Sequence, residues 1–329
     1  PRGLCWYSRL VIVGRVSCHI PRFYLTSKTM NTETAELFTP APEWSGRSDG
    51  PGPEHARWHS VINQSAACPA PVTLLGFASD EGVLRNGGRQ GAAAGPAALR
   101  SALGSLAVHH EHALADAGTI TTQADDLEGA HDALSDKVQE LVAAGSLPII
   151  LGGGHETAFG SHRGLYRAVG ATKIINLDAH FDLRRADRAT SGTPFKQIAD
   201  LSDDFDYTVL GISRPNNTAV LFNEAESLGV AVTLDEELVN LTPTECGELA
   251  ARATEGKDKV HLSIDLDVLP ASTAPGVSAP ASLGVSYERI RAMAVAIAQT
   301  GKLALVDVVE LNPTFDIDNR TAKAAARLI

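Results

Sequence analysis

Asp178, His180 and Asp182 are three metal-competent side chains spaced two residues apart, directly after the apolar run 173–177. In an extended chain alternate residues share a face, so this spacing predicts all three pointing the same way from a strand end. The flanking Ile174, Ile175, Leu177 and Phe181 are apolar, so the segment reads as buried. Unpaired buried carboxylates are costly, and a cation is the natural partner. The device recurs at Asp265 and Asp267, which follow the run 260–264 and have no Lys or Arg after them until Arg289. His155 follows Gly152, Gly153 and Gly154 behind the run 147–151, and Glu310 ends the run 303–309 ahead of Asn312-Pro313. No Lys-Ser/Thr pair follows the glycines, which excludes a Walker-type phosphate loop and leaves His155 as the feature to explain.

Charge counting sets the number of ions. Asp178, Asp182, Asp265 and Asp267 bring four negative charges, and His155 and His180 are neutral donors. Two divalent ions balance four carboxylates, and six side chains with two bridging aspartates suit a pair about 3.5–4 Å apart. Oxygen and imidazole donors without thiolate favour Mn²⁺ or a similar hard ion over structural zinc. Cys5, Cys18, Cys68 and Cys246 form no CxxC pair, so neither a redox dithiol nor a disulfide framework is expected.

Strand ends of this kind need a parallel sheet behind them. Along the chain, apolar runs at 72–77, 147–151, 173–177, 207–212, 260–264 and 303–309 alternate with helical stretches near 94–104, 128–144, 156–169, 245–254 and 286–300. Several runs lack polar alternation, as strands buried on both faces do. The alternation predicts an α/β fold with helices on both faces, and ligands then bind beyond the carboxyl ends of the strands. At 329 residues, 44% hydrophobic and 20% charged, the chain has enough apolar material for one large core. It has no apolar run of the roughly 18 residues a membrane span needs. A net charge of -11 makes nucleic acid an unsuitable partner. A small-molecule substrate is expected instead.

Residues 1–29 hold five basic residues and no acid. They lack a secretory apolar core and an amphipathic stripe, and read as a start-site artefact ahead of Met30. Residues 31–56 are rich in Pro and Gly. The expected organisation is a flexible extension over 1–55 and one catalytic domain over 56–329. The few cysteines and the lack of a convincing signal predict a cytoplasmic protein.

The motifs together resemble the ureohydrolase family of arginases, agmatinases and formimidoylglutamases. They are Gly-Gly-Gly-His-Glu at 152–156, Asp-Ala-His-Phe-Asp at 178–182, Ser-Ile-Asp-Leu-Asp at 263–267 and Glu-Leu-Asn-Pro at 310–313. The segment from Asp80 through Asn86 to Pro96 resembles the family's first loop. The resemblance runs from about residue 72 to the end. It implies a three-layer α/β/α, arginase-like fold around an eight-stranded parallel sheet, two Mn²⁺ ions per subunit and a homo-oligomer, trimeric or hexameric. It implies that His155, Asp178, Asp182 and Asp265 hold one ion and that Asp178, His180, Asp265 and Asp267 hold the other. It also implies that Glu310 binds the cationic amidine or guanidine of a substrate.

Arginases and agmatinases usually carry Asp at the place of Gly154 and Ser at that of Glu156, and arginases a histidine near Phe195. The residues here, with Thr190 through Phe195, are most similar to the formimidoylglutamase branch. That branch hydrolyses N-formimidoyl-L-glutamate to L-glutamate and formamide in histidine degradation. Asp182 is the expected proton relay. Such a substrate brings two carboxylates, and Arg184, two beyond Asp182, is the first candidate to bind one. Arg89, Arg188 and Arg214 are weaker candidates. An agmatinase or other guanidino hydrolase is the alternative within the family, and a non-catalytic metal-binding protein the alternative outside it.

Overall fold

The computed structural model describes residues 37–64, 70–109 and 112–329; the readings made for residues 1–29 and Cys68 lie outside them. Nine strands form one sheet: β1 (Phe38–Thr39), β2 (Val72–Ala78), β3 (Leu114–Thr121), β4 (Leu147–Leu151), β5 (Lys173–Leu177), β6 (Asp206–Ile212), β7 (Ala231–Leu234), β8 (Val260–Asp265) and β9 (Leu303–Val309). Their order is β1-β3-β2-β4-β9-β8-β5-β6-β7. All neighbours from β3 to β7 pair in parallel, giving the eight expected parallel strands, and the two-residue β1 adds an antiparallel edge.

Helices cover both faces because the parallel strands are apolar on both. One face carries the helices Gly95–Gly104, Pro243–Arg252, Tyr287–Gln299 and Arg320–Leu328, whose Leu99, Cys246, Ile290, Met293 and Ala325 share a core with Leu262 and Ile264. The helix Leu127–Ala143 covers the other face and buries Leu127, Leu134 and Val138 against Leu75, Phe77 and Ile150. The helix Thr157–Val169 packs beside it, with Leu165 in the same core. Among the described residues no helix is long and apolar enough to cross a membrane.

The register decides where the chemistry meets. Strands β4, β9, β8 and β5 are consecutive in the sheet, and each precedes one of the four polar clusters. Leu151 pairs with Val308, Asp265 with Val309, and Leu177 with Ile264, so the four strands end level with one another. Asp178 thus begins its loop beside Asp265, and Glu310 leaves its strand between Leu151 and Asp265.

Within the extension expected over residues 1–55, the described part from Leu37 onward is anchored to the domain at two places. Phe38 and Thr39 pair with Ile120 and Thr119, and Trp44 is buried with its indole N–H donating to Asp116 at 2.8 Å. Asp116 is also held by Arg100 at 2.7 Å. A buried carboxylate with an indole and a guanidinium as partners is a fixed anchor. The Pro and Gly content therefore marks an irregular, mostly exposed path that is anchored at Leu37, Phe38 and Trp44.

Candidate metal centre

The glycine triplet after β4 is a close-approach device. A Cβ on Gly153 would lie 1.8 Å from the Ser79 carbonyl oxygen, and one on Gly152 would lie 2.6 Å from Val309. The turn is held by Gly154 N–H donating to Ser79 O and by Glu310 N–H donating to Gly153 O. It delivers His155 into the gap between the strand tips.

His155 is buried, and its Nδ1 lies 3.1 Å from Asp178 Oδ2, 2.9 Å from Asp182 Oδ2 and 2.9 Å from Asp265 Oδ2. Its Nε2 meets Ser263 Oγ at 3.0 Å. Engaging Nε2 leaves Nδ1 as the donor atom toward the carboxylates. His180 Nδ1 lies 3.1 Å from Asp267 Oδ2 and 3.6 Å from Asp178 Oδ1. Two groups result, His155–Asp178–Asp182–Asp265 and Asp178–His180–Asp267, each with its ligand atoms within 4.8 Å of one another. Asp178 stands in both. Asp265 falls in the first group only, and its Oδ1 accepts the Asp267 backbone N–H at 2.8 Å.

The six side chains converge, but not by strand alternation. β5 ends at Leu177, His180 N–H donates back to Asp178 Oδ1 at 2.6 Å, and Asp182 adopts a left-handed backbone at φ 50°. A tight polar turn, not an extended segment, brings 178, 180 and 182 together. Glu310 is also left-handed, at φ 68°. Each such residue costs on the order of 1–3 kcal/mol, and such strain clusters at functional sites.

The electrostatics require a cation. Burial opposes charge on His155, yet Asp178, Asp182 and Asp265 outweigh it and hold the ring well above the usual imidazole range. Burial, then Asp267 and Asp178, push the Asp265 carboxyl well above the usual range, and burial and Asp178 raise that of Asp182. Asp178 goes the other way, since His155 and His180 overcome its burial. Buried Oδ1 of Asp267 has no hydrogen-bond partner among the described residues, and His155 Nδ1 faces three carboxylate oxygens at once. Oxygen and imidazole donors with orphaned lone pairs fit divalent ions of the Mn²⁺ type.

Glu310 is buried at the same edge. Its Oε1 accepts the His155 backbone N–H at 2.8 Å, and its Oε2 has no hydrogen-bond partner among the described residues. Burial, Glu156 and Asp267 push its carboxyl up to about 8. A cleft of about 360 Å³ opens here, lined by His155, His180, Asp182, Arg184, Asp265, Asp267 and Glu310 and walled by Asn86–Arg89, Ser191 and Ser278. The Arg184 guanidinium lines the cleft with no hydrogen-bond or ion-pair partner among the described residues, while its backbone N–H donates to Gly192 O; Gly192 makes room for the side chain, since a Cβ there would lie 2.8 Å from Arg184 Cδ. Arg89 also lines the cleft, but its guanidinium donates to Ser278 O and lies over the Phe315 ring at 3.9 Å. Arg188 pairs with Asp125 and Glu128, and Arg214 lies 5.6 Å from the Phe222 ring centroid; neither lines the cleft.

Three supporting roles escaped the sequence reading, although Ser263 and Phe195 stood in its motifs. Ser263 fixes the His155 ring, and Asn176 Nδ2 donates to Asp178 Oδ2 at 2.9 Å. Phe195 puts an edge on the His155 ring at 5.3 Å and stacks on Tyr207 at 4.5 Å. Ser263 and Asp265 alternate on β8, a signal that could have found the serine. Ser263→Ala should weaken Mn²⁺ binding about 10–100-fold, the usual effect of removing a group that orients a ligand. Titration with Mn²⁺ checks this, and an unchanged Kd would reduce the serine to packing.

The chain matches the model of the arginase family over residues 70–329. It is 51% identical over 313 residues to a formimidoylglutamase of Corynebacterium efficiens, covering 93% of this chain and 96% of that one. A formimidoylglutamase of Rhodococcus opacus is 47% identical, covering 89% and 95%. Among solved structures, Trypanosoma cruzi formiminoglutamase with Mn²⁺ is similar with a TM-score of 0.73 and 31% identity, covering 79% of this chain and 91% of that one.

Proposed function

This chain belongs to the arginase family, and we propose that it hydrolyses the formimidoyl C–N bond of N-formimidoyl-L-glutamate, giving L-glutamate and formamide. The carrying observation is that one cleft holds both the buried acids, with Glu310 among them, and the unpaired guanidinium of Arg184. A substrate with a cationic amidine and carboxylates matches both poles. The same reading makes the protein a cytoplasmic enzyme of histidine degradation that works as a homo-oligomer, trimeric or hexameric.

In this reading His155, Asp178, Asp182 and Asp265 hold one Mn²⁺ and Asp178, His180, Asp265 and Asp267 the other. When bound, the pair supplies the Lewis acidity that makes water nucleophilic near neutral pH. Glu310 accepts N–H bonds from the amidinium and holds its carbon in line for attack. Water adds to that carbon, and the C–N bond to the glutamate nitrogen breaks. Asp182 lies on the cleft wall and accepts the proton that water loses, relaying it toward the departing nitrogen. Arg184 binds a substrate carboxylate through paired N–H donors.

The test compares formamide release from formimidoylglutamate with urea release from agmatine and arginine. Agmatine has no carboxylate, and Arg184 repels it. Urea release from agmatine at the higher kcat/KM would replace this reading with that of a guanidino hydrolase. Arg184→Ala is expected to raise KM for formimidoylglutamate about 10–100-fold, the worth of a charge-assisted pair, with kcat little changed. An unchanged KM removes Arg184 from substrate binding.

A further inference from the structure

Glu156 follows His155 directly yet does not line the cleft. It is fully buried and turned the other way. Its Oε1 accepts from Ser79 Oγ at 3.1 Å and from the Gly82 backbone N–H at 3.0 Å. These two donors begin the segment that continues through the helix Glu81–Arg85 to Asn86, Gly87, Gly88 and Arg89, one wall of the cleft. The far end of that segment is tied separately, by Asn312 Nδ2 donating to the carbonyls of Arg89 and Gln90. Glu156 is therefore the near clamp of a wall that is also held along its length by Asn86 Nδ2 donating to Ser191 Oγ at 3.2 Å and by the Arg89 backbone N–H donating to Ser278 Oγ at 2.9 Å.

The space around this carboxylate is equally specific. A Cβ on Gly82 would lie 2.5 Å from Glu156 Cδ, and one on Gly154 would lie 2.1 Å from Glu156 Oε2. Neither glycine has a left-handed backbone. What both positions require is the absence of a side chain. The carboxylate of residue 156 fills the volume that a side chain on residue 154 would occupy.

We propose that Glu156 is a positioning residue: its carboxylate, seated in the room left by Gly154 and Gly82, ties the Asn86–Arg89 wall to the turn that carries His155. The position of the carboxylate matters, and the residue that bears it does not. An aspartate at 154 with a small residue at 156 should then be able to reach the same donors. This inference rests on the hydrolase reading for its kinetic readout alone.

The test uses the Mn²⁺-loaded full chain. Glu156→Gln keeps the Oε1 acceptor, and its KM and kcat should stay within about threefold of the parent. Glu156→Ser leaves the Gly82 and Ser79 donors unpaired; KM should rise about tenfold with kcat within about threefold, Mn²⁺ content unchanged and Tm lower by several degrees. The pair Gly154→Asp/Glu156→Ser should bring KM back to within about threefold of the parent and recover Tm. Val83 Cγ2 lies 2.5 Å from the Gly154 Cβ position, so the swap is also made with Val83→Ala.

An unchanged KM in Glu156→Ser overturns the proposal, as does a swap that improves on that single variant in neither background. If Glu156→Ser does not fold, a folded swap supports the proposal and an unfolded one overturns it. If the parent releases no formamide, the hydrolase reading fails, and the loss and recovery of Tm across the same series still decide the role of Glu156.

Discussion

Asp265→Asn is expected to lower kcat/KM about 10³-fold, since a binuclear centre contributes several kcal/mol to such a hydrolysis. Asp265 ends β8, with Oδ2 2.9 Å from His155 Nδ1 and Oδ1 accepting the Asp267 N–H. Asparagine keeps the shape but removes one of four charges, and its amide can donate to the Nδ1 lone pair that a metal needs. Metal analysis after desalting should therefore find less than the two ions of the parent. Stability should cross over. Without metal, burial and the neighbouring Asp267 and Asp178 disfavour charge on Asp265, so the variant should melt no lower than the parent. With Mn²⁺ at about 100 times its Kd the parent gains about 2.7 kcal/mol, and the variant should gain much less. Full metal content with activity within tenfold of the parent would remove Asp265 from the centre.

The parts of this protein that local sequence reveals are those whose partners lie nearby or are implied by charge. The six apolar runs became strands within a residue or so because strands buried on both faces need no polar alternation. β3 escaped because Asp116 interrupts it, and the groups that neutralise that acid, Arg100 and Trp44, come from elsewhere in the chain. The same indole contact, made by a partner distant in sequence, is why the anchoring of residues 37–55 at Trp44 is not legible in the sequence. At the site, spacing pointed to five of the six candidate donors and the glycine turn to His155, while the turn through Asp182 that gathers three of them depends on a left-handed residue that composition does not announce. Gly154 and Glu156 stood out as two departures from the arginase pattern. In space they are a single change, because the side chain of one occupies the room left by the other.

Glu310→Gln should cost about as much as Asp265→Asn by the opposite route, about 10³-fold in kcat/KM with both Mn²⁺ ions retained. The Glu310 backbone is held at φ 68° by its N–H to Gly153 O, and Oε1 accepts the His155 N–H. Glutamine preserves both. The change falls on Oε2, a buried atom with no partner at the cleft. As a carboxylate oxygen it accepts from an amidinium N–H and supplies the opposite charge. As an amide nitrogen it presents a donor to a donor, and a mismatched polar pair in a buried site costs far more than a missing contact. Stability should not fall, because the parent buries this carboxyl beside Glu156 and Asp267, which already push it up to about 8. Kinetics, metal analysis and melting of this variant beside Asp265→Asn separate two roles that activity alone would merge. One variant loses metal and the stabilisation metal brings, and the other loses turnover with both intact. If Glu310→Gln instead shed metal, Glu310 would belong to the metal shell and the amidinium would need another partner.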